Sequence, residues 1–217
     1  GSIMELAEKA NTTRKKPSRS STDGSDATLP EDLDEDKILS AYRLMLTSRK
    51  LDERMLILLK QGKSFFHIGA MGHEAAQVAA AFALQPGLDW LFPYYRDLAL
   101  VLGFGMSAQE VLLGFMARSA DPSSGGRQMP QHYGHVGHNI PTSSSSTGTQ
   151  YLQALGCAFA SQRRNDGPSA GNEVTIVCSG EGTTSQGDFH EALNWASRAQ
   201  APIIFFVENN GYAISVP

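Results

Sequence analysis

Two short polar segments stand directly after the two strand-like apolar runs in the second half of the sequence. Gly180-Glu181-Gly182 follows residues 174–179, and Asn209-Asn210-Gly211-Tyr212 follows residues 202–208. Residues 186–199 between the runs have a helical pattern, and two strands joined by a helix in this way are parallel. Parallel strands end at a common edge of their sheet, where ligands bind in folds of this kind. We therefore expect both polar segments at one binding edge.

Glu181 and Asn210 are 29 positions apart, but this arrangement predicts that their side chains lie close together. A carboxylate and an amide carbonyl are oxygen ligands of the kind that Mg²⁺ takes, together with waters and phosphate oxygens. A main-chain carbonyl near Tyr212 would add a third protein ligand. The residues at this edge therefore predict a site for magnesium and a phosphorylated ligand.

Two other interpretations of the glycine turn remain open. Gly180-x-Gly182-x-x-Ser185 is an incomplete dinucleotide fingerprint that lacks the third glycine. In that interpretation, Glu181 would repel a pyrophosphate unless a cation lay between them. In the other interpretation, Glu181 only caps the helix that follows. The magnesium site is favoured because it accounts for the polar residues after both strands.

This region is similar in sequence to a known motif. Residues 180–215 read GEGTTSQGDFHEALNWASRAQAPIIFFVENNGYAIS, and they are accompanied by FPYYRD at residues 92–97 and GGRQMP at residues 125–130. These segments resemble the thiamine diphosphate motif and its flanking elements in alpha subunits of 2-oxo acid dehydrogenase E1 components. The resemblance covers roughly residues 33–217. It implies an α/β fold in which a parallel sheet flanked by helices forms the diphosphate side of a thiamine diphosphate site.

The resemblance implies roles for the residues at the sheet edge. Glu181, Asn210 and the main-chain oxygen of Tyr212 would bind Mg²⁺. Three residues of the turn would pack on the diphosphate, namely Gly180, Gly182 and Thr183. The serine run that leads to Gln150 resembles a potassium-binding segment, which implies K⁺ as a further ion.

Further roles fall on residues earlier in the chain. In the pair Tyr95-Arg96, the arginine would reach the diphosphate, and its planar fork suits phosphate oxygens. Ser145 and Thr147 match positions whose main chain meets the aminopyrimidine ring. His67 stands in a region where related chains carry a residue near the thiazolium. An active-site role for His67 and a structural role are equal alternatives.

The glycine turn departs from the family in one residue. The usual family turn is Gly-Asp-Gly, whereas Glu181 carries its carboxylate on an arm one methylene longer. Together with the tract GGRQMPQHYG at residues 125–134, this residue favours the branched-chain type of E1. A pyruvate or acetoin E1 alpha subunit and a transketolase-like enzyme remain alternatives. So does a nucleotide-binding scaffold protein without enzyme activity.

The activity implied by the resemblance is oxidative decarboxylation of a 2-oxo acid, with transfer of the acyl group to the lipoyl domain of an E2 component. In the family, the glutamate that activates the aminopyrimidine belongs to the beta subunit. We therefore expect an E1 beta subunit or a fused beta domain as partner, in a heterotetramer. Related alpha subunits continue well beyond the Asn-Asn motif. We therefore expect this chain to be a fragment or the first part of a longer polypeptide, with a fold incomplete at its C-terminus.

The composition argues against other classes of protein. The 217 residues carry a net charge of −4 with a pI near 5.9, which does not suit a nucleic-acid partner. The longest apolar run, residues 202–207, is too short to cross a bilayer. Cys157 and Cys178 lack the spacing of a metal or redox motif. We expect a cytoplasmic protein of bacterial type, with the mitochondrial matrix as the alternative.

The remainder of the sequence predicts a polar tail and one domain. Residues 1–28 have the composition of a disordered segment, and residues 29–217 form the thiamine diphosphate-binding domain. Helical patterns occupy residues 34–61, 72–84, 107–118 and 148–163. Alanines on every face of the second helix predict close packing in a buried layer.

The long segment between the third and fourth of these helices, residues 119–147, has no regular pattern, which is typical of a functional loop. His132, His135 and His138 recur there at every third residue. A zinc site is conceivable, but no fourth ligand is apparent. A lid or a position beside the cofactor is favoured.

Overall fold

The computed structural model describes residues 33–164 and 171–216. Three parallel strands form its sheet: β1 (Trp90–Phe92), β2 (Thr175–Gly180) and β3 (Ile203–Glu208), in the order β1-β2-β3. The helices are α1 (Glu35–Lys60), α2 (Glu74–Phe82), α3 (Leu98–Gly103), α4 (Ala108–Phe115), α5 (Thr149–Arg163) and α6 (Gly187–Ala199). The predicted α/β class, with a parallel sheet flanked by helices, is confirmed. The predicted tail of residues 1–28 lies outside the described residues.

Strand β2 is the centre of the sheet and separates two apolar clusters. Its side chains alternate between the two faces, as strand geometry requires. Ile176 and Cys178 pack in the cluster that includes residues of α1, α3 and α4, whereas Val177 packs in the cluster that includes residues of α5 and α6. The helices therefore cover both faces, which explains why residues 176–178 in the middle of β2 are all apolar.

The register of β2 and β3 places the ends of the two strands at the same level. Thr175 is paired with Ile203 at the beginning, and Gly180 is paired with Glu208 at the end. The predicted strand, helix and strand are all present, with α6 between β2 and β3. The next residue after each strand therefore emerges at one common edge.

Strand β1 and helix α3 were not evident in the sequence. The strand has only three residues and the helix six, so neither is long enough to show a period. Phe92 pairs with Val177 in parallel register, so β1 ends at the same edge as β2. This strand brings the segment that begins at Pro93 to the predicted binding edge.

The alanine-rich helix α2 packs closely against α3, as its small side chains predicted. At Gly103, the last residue of α3, an added Cβ would lie 2.6 Å from the Cβ of Ala81. Ala81 is 3% exposed, so it has little space into which it could move. Only a residue without a side chain therefore fits at position 103.

Replacement of Gly103 by alanine should lower the free energy of unfolding by about 1–3 kcal/mol, because the methyl group overpacks the contact between α2 and α3. Gly156 in α5 is the matched control, since nothing lies within 4 Å of its Cβ position. There the same change should raise the free energy of unfolding by about 0.5–1 kcal/mol. Urea unfolding of both variants would test this pair. Equal effects would contradict the packing argument.

The third predicted helix begins and ends for local reasons. A reciprocal capping box starts it, since Glu110 N donates to Ser107 Oγ at 3.2 Å and Ser107 N donates to Glu110 Oε2 at 2.8 Å. Helix α4 ends at Phe115, earlier than predicted, and Ala117 already has φ 51°. Within the described part of the chain, no helix combines the length and apolarity needed to cross a membrane.

Candidate functional site

The glycine turn after β2, residues 180–182, and the asparagine loop after β3, residues 209–213, are in contact. Glu181 begins a short 3₁₀ turn, Glu181–Ser185, and its Oε2 accepts a hydrogen bond from Asn210 N at 3.3 Å. Gly182 packs against the loop, since a Cβ there would lie 2.8 Å from the Cβ of Ala213. The parallel register therefore brings the two predicted segments together, as the sequence indicated.

The asparagine loop is shaped by its own side chains. Asn210 Oδ1 accepts from Tyr212 N at 2.9 Å, and Asn209 Oδ1 accepts from Gly211 N at 2.8 Å. Gly211 has φ 76°, a conformation that favours glycine. The turn thus exposes Asn210 and Tyr212 next to Glu181.

One oxygen of the Glu181 carboxylate gives a test of whether the residues fit a metal ion. Glu181 Oε1 is buried and has no hydrogen-bond partner among the residues that the structure describes. A buried carboxylate oxygen without a partner is costly and calls for a compensating positive group. The oxygen ligands that this part of the cleft offers are the Glu181 carboxylate, the Asn210 side-chain amide and the main-chain carbonyls of the loop. This set fits Mg²⁺, which binds oxygen ligands and usually takes several of them from waters and substrate phosphates.

The three histidines of the long loop do not form a comparable site. The rings of His135 and His138 stack with centroids 4.1 Å apart, whereas His132 contacts Ser145. Among residues 33–164 and 171–216, no group of three or more His, Cys, Asp or Glu side chains could hold a metal ion. The zinc alternative therefore has no support in the described residues.

A cleft of about 660 Å³ opens at this edge of the sheet. Nine predicted site residues line it: Tyr95, Arg96, Thr147, Gly180, Glu181, Gly182, Thr183, Asn210 and Tyr212. Further lining residues were not predicted: Phe66, Ile68, Tyr94, Ala213 and Ile214. Most of these are apolar and neighbour a predicted residue in the sequence, which was the only available signal. The cleft thus combines the residues predicted to bind phosphate and metal with an apolar wall.

Arg96 lies in the cleft because β1 ends at the same edge as β2. Its Nη1 donates to the main-chain oxygen of Gly69, and its guanidinium carbon lies 5.7 Å from the centroid of the Tyr95 ring. These contacts orient the guanidinium and leave further N–H groups for an anion. The arrangement suits a diphosphate between Arg96 and a metal ion at Glu181.

Ser145 does not line this cleft. It lines a smaller adjoining pocket with Ser144 and Gln150, and that pocket shares Thr147 with the cleft. Ser145 Oγ lies 2.8 Å from His132 Nε2, and His132 Nδ1 lies 3.1 Å from Pro130 O. Because the Pro130 carbonyl can only accept, Nδ1 is the donor in that contact, and in the neutral ring Ser145 donates to Nε2. His132 thus positions the serine, a contact that the sequence did not reveal.

His67 is placed differently from the other predicted site residues. Its side chain is 3% exposed, and Nε2 lies 2.6 Å from Asp52 Oδ1. Asp52 Oδ2 in turn accepts from Ala70 N at 3.0 Å. Phe66 and Ile68 line the cleft, but His67 between them does not. The ring is therefore part of a buried pair behind the cleft wall.

Behind the cleft, Asp97 and Glu208 are two buried carboxyl groups on different elements. Asp97 is fully buried, and its Oδ2 accepts from Tyr94 N at 2.8 Å. Burial, together with the negative charge of Glu208, raises the pKa of Asp97 well above its ordinary value. A proton on the Asp97 carboxyl removes the cost of a second buried negative charge beside Glu208.

The raised pKa of Asp97 makes the stability of the fold depend on pH. A carboxyl group that keeps its proton in the folded state but loses it on unfolding contributes less stability as pH rises from its ordinary pKa through the raised one. Replacement of Asp97 by asparagine keeps the acceptor for Tyr94 N and removes this titration. Urea unfolding between about pH 5 and pH 9 should show a flatter profile for the variant. An unchanged slope would contradict the assignment.

The architecture and the cleft define a class, namely α/β proteins that bind a ligand at the carboxyl edge of a parallel sheet. The sequence profile of the dehydrogenase E1 component family matches residues 42–217. The chain therefore belongs to the dehydrogenase E1 component family. The resemblance to E1 alpha subunits stated above is confirmed.

Curated relatives support the same conclusion. The alpha subunit of 2-oxoisovalerate dehydrogenase from Bacillus subtilis (strain 168) is 47% identical over 185 residues, which are 85% of this chain and 54% of the relative. The mitochondrial subunit of that name from Caenorhabditis elegans is 36% identical over 85% of this chain and 41% of its own length. The alpha subunit of the pyruvate dehydrogenase E1 component from Staphylococcus aureus (strain Mu50 / ATCC 700699) is 35% identical over 87% of this chain and 47% of its own length. The chain spans about half the length of these relatives.

Proposed function

We propose that this chain is part of the alpha subunit of a 2-oxo acid dehydrogenase E1 and that it binds thiamine diphosphate through Mg²⁺. The observation that carries the proposal is the buried, unpartnered Oε1 of Glu181, which lies beside Asn210 in the cleft that Arg96 also lines. A scaffold protein would have no reason to keep a carboxylate in this state. Family membership supports the same interpretation.

Different residues of the cleft would bind different parts of the cofactor. Glu181, Asn210 and the main-chain oxygen of Tyr212 would hold Mg²⁺, and Arg96 would bind the diphosphate with the turn of Gly180, Gly182 and Thr183. Tyr95 packs against Arg96 and limits its orientation. The main chain at Ser145 and Thr147 would meet the aminopyrimidine, and the serine run would take K⁺.

Thiamine diphosphate supplies the electron sink for loss of carbon dioxide from a 2-oxo acid. The residues described above contribute binding, orientation and charge rather than proton transfer. A fixed diphosphate restricts how the ring end of the cofactor is placed, which is a gain from orientation. The acceptor of the acyl group would be the lipoyl domain of an E2 component.

A partner chain completes the proposal. Among the residues that line the cleft and the adjoining pocket, the one carboxylate is Glu181, which is assigned to the metal. The resemblance assigns the glutamate that activates the aminopyrimidine to a beta subunit or a fused beta domain. For His67, an active-site role and a structural role were equal alternatives, and its buried pair with Asp52 behind the cleft wall supports the structural role. We infer a heterotetramer in the cytoplasm, with no membrane or nucleic-acid partner.

A branched-chain 2-oxo acid is the favoured substrate class. The B. subtilis relative named for 2-oxoisovalerate is 47% identical to this chain, whereas the S. aureus relative named for pyruvate is 35% identical. The apolar side chains of Phe66, Ile68 and Ile214 in the cleft suit a branched aliphatic group. Pyruvate is the second candidate.

The experiment uses the full-length chain with its partner subunit. Calorimetry should show thiamine diphosphate binding that requires Mg²⁺, and turnover should favour 3-methyl-2-oxobutanoate over pyruvate. Preference for pyruvate would leave the cofactor assignment intact and overturn the substrate. If the cofactor does not bind either with or without Mg²⁺, the assignment as a thiamine diphosphate enzyme is wrong and the scaffold alternative is favoured.

A further inference from the structure

Gln77 is a polar residue in the interior of the alanine-rich helix α2. Its side chain is completely buried, although its neighbours in the helix are almost all alanine or valine. A buried amide is retained only where both its donors and its acceptor are satisfied, because each unpaired group is costly. The contacts of this side chain therefore show what it holds in place.

The amide of Gln77 connects two elements of the site. Its Nε2 donates to Arg96 O at 3.0 Å and, as a shared bond, to both carboxylate oxygens of Glu208 at 3.0 Å. Its Oε1 accepts from Ala99 N at 2.9 Å. Because Ala99 N can only donate while the carbonyl and the carboxylate accept, the orientation of the amide is determined. Both N–H groups and the oxygen are thus used.

Glu208 forms the connection to the metal side of the cleft. It is the last residue of β3, it pairs with Gly180, and it stands two positions before Asn210. Its carboxylate is buried and also contacts His73 Nδ1 at 3.0 Å and Tyr94 OH at 3.4 Å. A buried carboxylate held by several donors sets the position of the strand end and of the loop that follows.

Arg96 forms the connection to the diphosphate side. The bond from Gln77 reaches the main-chain oxygen of Arg96 itself, and the bond from Ala99 N holds the start of α3 three residues later. The turn that carries the guanidinium is thus tied to the same amide as the end of β3. Neither contact involves an atom that would touch the ligand.

We propose that Gln77 is a positioning residue that holds Arg96 at a fixed distance from the asparagine loop. Arg96 and a metal ion at Asn210 can then bind the same diphosphate. This inference rests on the proposed function. Loss of the amide donors would let the two turns move independently. The affinity for a ligand that contacts both turns would therefore fall.

The test compares wild type with Gln77→Met, which keeps the length of the side chain, in the full-length chain with its partner subunit. Because bonds from Gln77 to a charged group are lost, the Kd for thiamine diphosphate and the Mg²⁺ concentration for half-saturation should each rise about tenfold. In an Arg96→Ala background, Gln77→Met should weaken binding by only about threefold, because part of its effect acts through Arg96. Additive effects of the two changes would overturn the proposal.

Ser161→Ala is the control for a merely structural effect. Ser161 is a buried polar residue of α5 that bonds to Glu173 at 2.5 Å and does not line the cleft. This change should lower the thermal stability without altering Kd. If wild type binds the cofactor and Gln77→Met binds it equally well, Gln77 does not position the site. If wild type itself does not bind, the proposed function fails and this inference with it.

If Gln77→Met does not fold, Gln77→Asn provides the same test. Asparagine keeps a neutral amide but is one methylene shorter, so this amide cannot reach Arg96 O, Glu208 and Ala99 N at the present distances. A rise in Kd supports the proposal, and an unchanged Kd overturns it.

Discussion

Replacement of Glu181 by alanine should abolish most Mg²⁺-dependent binding of thiamine diphosphate. The carboxylate is the only charged metal ligand that we assign, so its loss should weaken cofactor affinity about a hundredfold or more, roughly 3 kcal/mol. Stability of the protein without cofactor should change by less than about 1 kcal/mol. The reason is that Oε1 has no partner to lose among the described residues and Oε2 has one long bond to Asn210 N. Calorimetry and urea unfolding would measure the two quantities.

Two further variants at this position separate charge from geometry. Glu181→Asp keeps the charge on the shorter arm that is usual in the family and should retain most of the affinity. Glu181→Gln keeps an oxygen that can accept from Asn210 N but carries no charge, and it should resemble alanine in cofactor binding. If wild type and Glu181→Ala bind thiamine diphosphate with equal affinity in saturating Mg²⁺, Glu181 is not a metal ligand.

Replacement of Arg96 by alanine should raise the Kd for thiamine diphosphate about ten- to a hundredfold, because charge-assisted bonds to phosphate are among the strongest that a side chain makes. Binding should become more dependent on Mg²⁺, since the metal would then be the main positive group on the diphosphate. Titration of the cofactor at several Mg²⁺ concentrations would measure both effects.

Arg96→Lys is the control for charge alone. Lysine keeps the positive charge but lacks the planar fork, and it cannot reproduce both the contact to Gly69 O and a paired contact to phosphate. We expect an intermediate affinity. If lysine binds as well as arginine, the fork geometry has no role, and if alanine does so, Arg96 does not contact the diphosphate.

The metal half of the candidate site could be predicted because its signals are local. Two apolar runs separated by a helical pattern require parallel strands, and parallel strands bring their following residues to one edge. The prediction that Glu181 and Asn210 lie close together is confirmed by the contact at 3.3 Å. Whether they bind a metal remains a prediction.

The diphosphate half depended on the resemblance. Nothing in the three residues of β1 indicates a strand, and its pairing with β2 is a contact between residues that are far apart in the chain. Without that strand, Tyr95 and Arg96 have no predicted location. The resemblance named these residues, and the fold brings them to the cleft that Glu181 lines.

His67 and Gln77 show what a linear pattern cannot decide. In an irregular segment, no period tells which side chain faces a cleft, and here Phe66 and Ile68 face it while His67 pairs with Asp52. Gln77 stands among alanines, and its partners are 19 and 131 positions away. Such partners become evident only when the elements are packed together.

The sequence by itself therefore determined the fold class, the parallel strands and the contact between the glycine turn and the asparagine loop, because hydrophobic period and chain connectivity dictate them locally. The tertiary structure alone decided that a three-residue strand carries Arg96 to the same edge and that His67 lies behind the wall. It also showed that one buried amide joins the two halves of the site. These features depend on long-range packing, in which the partner of a residue is set by the whole fold.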